Sequence, residues 1–395
     1  MLLVGVEVVL VALALLLLVP VVVFSLQVLL SLPAMRPQTF PAGRRPTVCV
    51  LVPAHDEAEV IATTLRSVRA QLAPGDRVLV VADNCSDDTA RIARAEGAEV
   101  IERTDLSRRG KGYALDFGVC HLEQVPPEIV VIVDADCELH DGALDRLARR
   151  SAEQGCPVQA LYLMHSPQGA RLKTRVGEFA WSVRNKLRPL GYHRLGLPCQ
   201  LMGTGMAFPW PVIRGAALAN GHIVEDLKLG LELARTGTPP LFCPDAVVTS
   251  VFPASTEGTR TQRTRWEHGH LSMIFSDGIG FLAAALARFQ LRQVAMLLDL
   301  CVPPLALLVL LVSTLLAIDV AAYAVLELAR PLGLALFACL VLGISVLLAW
   351  FACGRRILSL RDLSYAPFYA LGKIPLYVRF LVGRQVEWVR SRRDG

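Results

Sequence analysis

The chain has 395 residues, enough for one large domain with additional segments, and 53% of them are hydrophobic, which excludes an ordinary soluble protein. The formal net charge of +5 is modest, and the basic residues concentrate beside apolar stretches and in "TRTQRTRW", a pattern that favours phosphates or lipid headgroups over nucleic acid. Ten cysteines are scattered without C-x-x-C pairs, which predicts free thiols.

The first 32 residues are almost entirely apolar, and Glu7 is the one charge among them. About 20 apolar residues span a bilayer, so this stretch is long enough to cross with some tilt. A cleaved signal peptide is the alternative, but the stretch has no basic n-region and runs too long for one. We therefore predict that residues 1–34 form an N-terminal transmembrane helix.

From Pro46 the pattern alternates between strand and helix. Continuous apolar runs predict four strands, which read "TVCVLVPA", "RVLVVAD", "AEVIER" and "EIVVIVDAD". Helical spacing lies between them, for example in "GKGYALDFGVCHL". This alternation predicts an α/β domain in which helices cover both faces of a mostly parallel sheet.

Polar residues follow each of these strands, where ligands bind in open sheets of this kind. They are His55, Asp56 and Glu57, then Asp83 and Asn84, then the loop "SRRGKG" with Arg108, Arg109 and Lys111, then Asp134 and Asp136. The carboxyl ends of parallel strands share one edge, so these groups are predicted to converge there.

Asp134 and Asp136 are separated by one residue, and side chains in an extended chain repeat with period two. Two carboxylates on one side repel unless a cation lies beside them, and Mg²⁺ and Mn²⁺ prefer oxygen ligands. The alternative is a strand that ends in a solvated turn. The nearby "RRGKG" suits a phosphate loop or another solvated turn, but it is not a G-x-x-x-x-G-K-[ST] motif.

Two further motifs lie near residues 225 and 265. In "VEDLKLGLELARTG", Glu225 and Asp226 start a predicted helix, where carboxylates either favour the helix dipole or supply a general base. In "QRTRWEHGH", arginines suit phosphate binding and Trp266 suits stacking on a sugar ring. The alternative for the second motif is a membrane-interface belt.

Residues 291–354 contain two more apolar stretches, about 294–326 and 331–353, which predict two transmembrane helices. Pro303 and Pro304 fit the end of the first span or a kink near it. The tail, residues 355–395, is interrupted by prolines and basic residues and is predicted to lie at the interface, with a further span as the alternative. Basic flanks after the first and last spans predict cytosolic residues 35–290 and an outward N-terminus.

These motifs in this order resemble a membrane-bound family-2 glycosyltransferase with a GT-A catalytic domain. The resemblance runs from "VLVPAHDEAEVI" through "VVADNCSDDT", "RRGKGYALDFG", "IVDAD", "LMGTGMAF" and "VEDLKLGLELARTG" to "QRTRW". Each motif alone is weak, whereas D-x-D, E-D and Q-x-x-R-W together are specific to the family. The resemblance implies an α/β GT-A fold, Rossmann-like with a mostly parallel sheet, inserted as a cytosolic domain between transmembrane helices.

The resemblance also implies roles for the matched positions. Asp226 is the implied catalytic base with Glu225 beside it, and Asp136 is the implied direct ligand of Mg²⁺ or Mn²⁺, with Asp134. Acceptor-site residues are Trp266, Gly203 and Thr204. The nucleotide and sugar would contact Pro53, Glu57, Asp83, Lys111, Asp134, Gln262, Arg263 and Arg265.

The implied activity is inverting transfer of a sugar from a nucleotide-sugar, expected to be a UDP-sugar, to a membrane lipid or lipid-linked glycan acceptor. The expected setting is glycolipid or exopolysaccharide synthesis at a bacterial-type inner or plasma membrane. His55 and Asp56 replace the family's usual Tyr-Asn and Val224 replaces a frequent Thr, which affects fine specificity and leaves the charged groups in place. The alternatives are a processive polysaccharide or oligosaccharide synthase and a non-catalytic membrane partner in polysaccharide export.

Overall fold

The computed structural model describes residues 1–34, 43–253 and 256–382, which form two compact units. The sheet unit comprises the described residues of Ala34–Pro167 and Leu197–Gly269. The helical unit comprises the described residues of Met1–Pro33, Gln168–Gly196 and His270–Arg384. The last part of the predicted interfacial tail, residues 383–395, lies outside the described residues.

One eight-stranded sheet forms the centre of the sheet unit. Its strands are β1 (Val48–Ala54), β2 (Arg77–Asp83), β3 (Glu99–Arg103), β4 (Ile129–Ile132), β5 (Glu138–Leu139), β6 (Val158–His165), β7 (Met206–Pro209) and β8 (Leu241–Val251). Their spatial order is β3-β2-β1-β4-β7-β6-β8-β5. The pairs β3–β2, β2–β1, β1–β4 and β6–β8 are parallel, while β7 and β5 run antiparallel to their neighbours.

Helices occur in both units. They are α1 (Leu2–Ser31), α2 (Ile61–Arg69), α3 (Thr89–Ala95), α4 (Lys111–Leu122), α5 (Ala143–Gln154), α6 (Leu172–Ser182), α7 (Arg188–His193), α8 (Trp210–Arg214), α9 (Glu225–Arg235), α10 (Thr256–Met273), α11 (Ile279–Ala287), α12 (Leu291–Leu300), α13 (Leu305–Leu326), α14 (Ala329–Ala349), α15 (Leu360–Leu363), α16 (Ala366–Leu371) and α17 (Ile374–Val382).

The sequence prediction of the first half of the sheet is confirmed. The four apolar runs become β1 to β4, and the helical patterns between them become α2, α3 and α4. Every residue of β4 is buried, and Leu51 of β1 and Leu79 of β2 are fully buried in the same core. Such strands are apolar along their whole length because helices cover both faces of the sheet. The structure therefore has the predicted mostly parallel α/β architecture.

The end of β4 differs from the prediction. The strand ends at Ile132, and the following residues form a turn in which the amide of Cys137 donates to the carbonyl oxygen of Asp134 at 3.1 Å. The chain turns here because β5 follows at once and pairs antiparallel with β8. Asp134 and Asp136 therefore lie in a turn, and the alternation expected for an extended chain is wrong at this point.

Among the described residues, four helices are long and apolar enough to cross a membrane: Leu2–Ser31, Arg260–Ala287, Leu305–Leu326 and Ala329–Gly354. The first, third and fourth are the stretches identified from the sequence. The second joins α10 and α11 through a π-helical turn at Ile274–Gly278 and has the lowest mean hydropathy of the four. Charged residues in its first half conceal this continuity in the sequence.

The break predicted at Pro303 and Pro304 separates α12 from α13. Asp299 in α12 belongs to a buried polar network within the helical unit. Its Oδ1 accepts hydrogen bonds from Nε2 of Gln27 at 2.7 Å and from Nη2 of Arg188 at 2.7 Å. Nε of Arg188 donates to Oε1 of Gln27 at 3.1 Å, so each buried group has a partner. The network links α1, α7 and α12.

All ten cysteines are free thiols, as the sequence predicts.

Candidate active site

The turn after β4 brings the two aspartates of the D-x-D motif together. One oxygen of Asp134, one oxygen of Asp136 and Sγ of Cys137 all lie within 4.8 Å of one another. The two carboxylates therefore lie close together, and the turn, not the strand, produces this proximity. Both aspartates remain partly accessible, while Cys137 is buried.

Lys111, the first residue of α4, connects this turn to two other segments. Its Nζ forms an ion pair with Oδ1 of Asp134 and donates a hydrogen bond to the carbonyl oxygen of Gly203 at 2.7 Å. Oε1 of Glu225 lies 3.8 Å from the same amine. Burial alone would lower the pKa of Lys111, but the neighbouring carboxylates of Asp134 and Glu225 outweigh burial and raise it. The lysine therefore stays charged.

The backbone on either side of Lys111 requires the two glycines of "RRGKG". Gly110 has φ +130°, a conformation that favours glycine, and a Cβ at Gly112 would lie 2.5 Å from the carbonyl oxygen of Leu218. Arg108 and Arg109 are exposed and bond locally, Arg108 to Asp105 and Arg109 to a loop carbonyl. Of the basic residues predicted to converge with the acids, Lys111 is the one seen in contact with Asp134.

Glu225 and Asp226 are the first two residues of α9, as the sequence predicts. Burial raises the pKa of Glu225 to about 7; repulsion from Asp226 adds to this and Lys111 opposes it. Burial also raises the pKa of Asp134, with Asp136 adding to the shift and Lys111 opposing it. The charge of Glu225 therefore changes near neutral pH.

Gly203 lies at the centre of these groups. A Cβ there would be 3.5 Å from Oδ2 of Asp226, 3.7 Å from Nζ of Lys111 and 3.9 Å from Oδ2 of Asp134. Its φ of +89° also favours glycine. The adjacent Thr204 is fully buried, and its hydroxyl accepts a hydrogen bond from the amide of Asp134 at 3.0 Å. The segment thus orders the D-x-D turn and lies beside Asp226.

The Q-x-x-R-W motif lies on α10, which packs closely against the start of α9. A Cβ at Gly269 would be 2.4 Å from Cγ1 of Val224, the residue before Glu225. Burial lowers the pKa of Arg265, about one turn earlier, and the nearby carboxylates of Glu225, Asp134, Asp136 and Asp226 oppose this shift. The structure therefore brings the arginine of this motif to the carboxylate cluster.

The other residues of the motif differ in their surroundings. Gln262 is buried, and its Oε1 has no hydrogen-bond partner within the described part of the chain. Arg263 lies over the ring of Phe252, with its Cζ 5.6 Å from the ring centroid. Trp266 is partly buried.

The residues predicted to bind the nucleotide lie at the carboxyl ends of β1 and β2. Pro53 is partly buried, and the amide of Glu57 donates to Oγ1 of Thr89 at 2.7 Å. Asp83 is buried, and its Oδ1 accepts from Nη1 of Arg103 at 2.6 Å. Arg103 could not be predicted from the sequence, because a basic residue at the end of a strand belongs to no motif that distinguishes it.

A second acidic group lies nearby, with ligand atoms of Asp56, Cys85 and Asp87 close together. The carboxylate of Asp56 is engaged in hydrogen bonds within the loop, since its Oδ1 accepts from the backbone amides of Ser86 at 2.6 Å and Asp87 at 3.3 Å.

The D-x-D carboxylates suit a hard divalent cation. Magnesium and manganese prefer oxygen ligands, and Mg²⁺ is commonly held by one or two carboxylates together with phosphates and water. Cys137 is unsuited to be a ligand, because burial raises the pKa of its thiol well above the ordinary range. Its Sγ donates instead to Oδ1 of Asp136 at 3.4 Å. The residues present thus fit Mg²⁺ or Mn²⁺ held by Asp134 and Asp136.

The chain is similar to known proteins over much of its length. The family model described as "Glycosyltransferase like family 2" matches residues 46–269, more than half of the chain. An uncharacterized glycosyltransferase of Mycobacterium tuberculosis is 34% identical over 209 residues, covering 48% of this chain and 87% of that protein. The 4,4'-diaponeurosporenoate glycosyltransferase of Staphylococcus aureus is 34% identical over 265 residues, covering 64% of this chain and 68% of that protein.

A solved structure has the same fold. It is a mannosyltransferase from Pyrobaculum calidifontis in complex with GDP-Man and Mn²⁺, with a TM-score of 0.56 and 17% sequence identity. The match covers 95% of this chain and 100% of that one. The sheet is the mixed, mostly parallel sheet typical of GT-A enzymes. The family match and the shared fold together show that the chain belongs to the family-2 glycosyltransferases and has a GT-A domain.

Proposed function

We propose that the protein transfers one sugar from a nucleotide-sugar, expected to be a UDP-sugar, to a hydroxyl of a membrane lipid or lipid-linked acceptor, with inversion at the anomeric carbon. The observation that carries the proposal is the grouping of Asp134, Lys111 and Asp226 around Gly203. Displacement of a diphosphate requires a cation, carboxylates that can bind a metal ion, and a general base, and this group contains candidates for each.

The donor end of the site is assigned from charge. Asp134 and Asp136 would hold Mg²⁺ or Mn²⁺, which when bound neutralises charge on the diphosphate. Lys111 and Arg265 add two cations beside it, and both already interact with the carboxylate cluster. Pro53, Glu57 and Asp83 lie at the ends of β1 and β2 and are assigned to the nucleotide, where ligands of open α/β sheets bind.

Asp226 is assigned as the general base. Its carboxylate takes the proton of the acceptor hydroxyl, the hydroxyl oxygen bonds to the anomeric carbon, and the bond from that carbon to the diphosphate oxygen breaks. The electron pair leaves on the diphosphate, which Lys111 and Arg265 stabilise. A single displacement of this kind inverts the configuration at the anomeric carbon. Glu225, whose pKa is about 7, is assigned to tuning the charge beside the base.

A lipid acceptor is supported by the helical unit. We assign α1, α13 and α14 as transmembrane helices, because they are the most apolar of the long helices. Basic residues at Arg44 and Arg45, and again at Arg355 and Arg356, favour a cytosolic sheet unit and an outward N-terminus at a bacterial-type plasma membrane.

The helix Arg260–Ala287 is assigned to the membrane interface. It carries Gln262 and Arg265, which belong to the proposed site, and its mean hydropathy is below that of the other three candidates. Helices α15 to α17 are short. Arg379 lies within α17 and Lys373 directly before it, both among apolar residues, which also suits the interface. Trp266, Gly203 and Thr204 would then border the acceptor.

The test uses the full chain purified in lipid nanodiscs, incubated with UDP- and GDP-sugars and Mn²⁺ or Mg²⁺, with and without lipid extract. Released nucleotide is measured, and products are separated by size. The expected result is nucleotide release that needs a divalent cation, increases with lipid and gives a product with one added sugar. Asp141→Asn, on an exposed loop carboxylate, serves as the control for Asp226→Asn.

The alternatives give different outcomes in the same experiment. A ladder of long products would favour a processive synthase over single transfer. Absence of nucleotide release across the panel, with and without lipid, would favour a non-catalytic membrane partner.

A further inference from the structure

Two buried polar side chains outside the motifs hold the D-x-D turn and the segment beside it, and they come from different elements. Thr64 on α2 is 2% exposed, and Gln159 on β6 is fully buried. Buried polar groups are costly unless they are hydrogen-bonded, so their partners show what they hold in place.

Thr64 holds the D-x-D turn directly. Its Oγ1 donates a hydrogen bond to the carbonyl oxygen of Ala135 at 2.8 Å. Ala135 is the residue between the two aspartates, so this bond fixes the peptide plane that separates their side chains. The turn's own hydrogen bond, from Cys137 to the carbonyl of Asp134, lies beside it. Thr64 therefore limits how Asp134 and Asp136 can rotate relative to each other.

Gln159 holds the segment next to the turn. Its Oε1 accepts from the amide of Met202 at 2.8 Å, and its Nε2 donates to the carbonyl oxygens of Thr204 and Ala160, each at 2.9 Å. One side chain thus binds both ends of Met202–Thr204 and ties them to β6.

The held segment reaches Asp134 by two routes. The carbonyl of Gly203 positions the amine of Lys111, which pairs with Asp134, and the hydroxyl of Thr204 accepts from the amide of Asp134. Displacing the segment would therefore move both the amine of Lys111 and the backbone of Asp134, the proposed metal ligand. Neither Thr64 nor Gln159 is assigned a contact with the donor itself.

We propose that Thr64 and Gln159 are positioning residues that hold the D-x-D turn in the geometry that binds a divalent cation and a sugar-nucleotide diphosphate. The proposal rests on the proposed function of Asp134 and Asp136. Residues that orient metal ligands through hydrogen bonds typically change metal affinity by about 10–100-fold when they are replaced. The same size of effect is expected here, in donor and metal binding more than in the chemical step.

The test replaces each residue by a side chain of similar shape without the hydrogen bonds, Thr64→Val and Gln159→Met. Controls are Thr63→Val, an exposed threonine on the same helix, and Gln154→Met, an exposed glutamine at the end of α5. Mn²⁺ binding is measured without substrate by electron paramagnetic resonance, together with the melting temperature and the KM and kcat for the donor. Asp136→Asn is the reference for loss of the ligand.

The expected result is Mn²⁺ affinity at least about 10-fold weaker and a raised KM in both variants, with kcat changed less and the controls equal to the wild type. Thr64→Ser, which keeps the hydroxyl, should restore the affinity. If Gln159→Met unfolds, comparison of Thr64→Val with Thr64→Ser decides the proposal.

Unchanged Mn²⁺ affinity in Thr64→Val, with loss of binding in Asp136→Asn, would overturn this inference and leave the proposed function intact. A wild-type protein that binds neither Mn²⁺ nor any sugar-nucleotide would overturn the proposed function, and this inference with it.

Discussion

The amine of Lys111 is paired with the carboxylate of Asp134 while it also donates to the carbonyl of Gly203. The first residue of α4 thus joins the D-x-D turn to the segment beside α9. Removing one partner of a partly buried ion pair costs much more free energy than removing one partner of an exposed pair, because the remaining charge is left without a compensating partner.

Replacing Lys111 by methionine should therefore impair the site more than a surface lysine change. We expect donor KM to increase and kcat/KM to fall by roughly two orders of magnitude, because a diphosphate cation and the partner of Asp134 are lost together. The control is Lys173→Met, at an exposed position of α6. Equal kcat/KM in the Lys111 and Lys173 variants would contradict the role of Lys111.

Asp226→Asn should remove turnover and preserve donor binding. The amide keeps the shape of the side chain but cannot accept the acceptor proton, and one positioned base typically contributes about 10²–10⁴-fold to the rate. The measurements are kcat and calorimetric binding of the sugar-nucleotide, with Asp141→Asn as the control. Near-normal turnover would show that another group is the base.

The position of these residues could be predicted from sequence for a physical reason. Parallel strands bring their carboxyl ends to one edge, so the positions of Asp83, the last residue of β2, and Asp134, just after β4, can be predicted from the order of the apolar strands. The E-D pair at the start of α9 was likewise visible from the helical spacing after it.

What could not be predicted depends on contacts between distant segments. Thr64 is one polar residue in an amphipathic helix, and Gln159 is one polar residue in an apolar strand. Because threonine and glutamine also occur at solvated positions, the sequence does not distinguish these two. The turn at Asp134–Cys137 follows from the pairing of β5 with β8, which lies more than one hundred residues later. The pairing of Asp83 with Arg103 has the same origin, since it needs β2 and β3 in register.

Stability should depend on pH through Glu225. Its pKa in the folded chain is about 7, above the ordinary value of 4.5, so the folded state binds this proton more tightly than the unfolded state. Ionisation of Glu225 therefore removes stability as pH rises from about 4.5 to about 7. Glu225→Gln should leave the free energy of unfolding almost unchanged at pH 4.5 and raise it most above pH 7, by at most about 3 kcal/mol, with a matching rise in melting temperature.

The measurement is thermal unfolding of the metal-free protein between pH 4.5 and 8, with Glu153→Gln, on the exposed face of α5, as the control. If the difference in melting temperature between wild type and Glu225→Gln does not depend on pH, the pKa of Glu225 is not raised in the folded chain.

Alanine substitutions at Gly203 and Gly237 distinguish the effect of filling the site from the effect of backbone strain. Gly203 and Gly237 both have strongly positive φ, +89° and +96°, so alanine is strained at either position and should cost about 1–3 kcal/mol of stability. They differ in their surroundings. A Cβ at Gly237 meets nothing within 4 Å, whereas a Cβ at Gly203 meets Asp226, Lys111 and Asp134.

Gly203→Ala and Gly237→Ala should therefore lower the melting temperature by similar amounts, while only Gly203→Ala loses activity, by roughly 10-fold or more, because the added methyl group occupies space between the base and the donor groups. Melting curves and kcat/KM for both variants test this. Similar activity in the two would mean that neither substrate nor donor uses the space beside Gly203, and the acceptor would then have to approach Asp226 from another side.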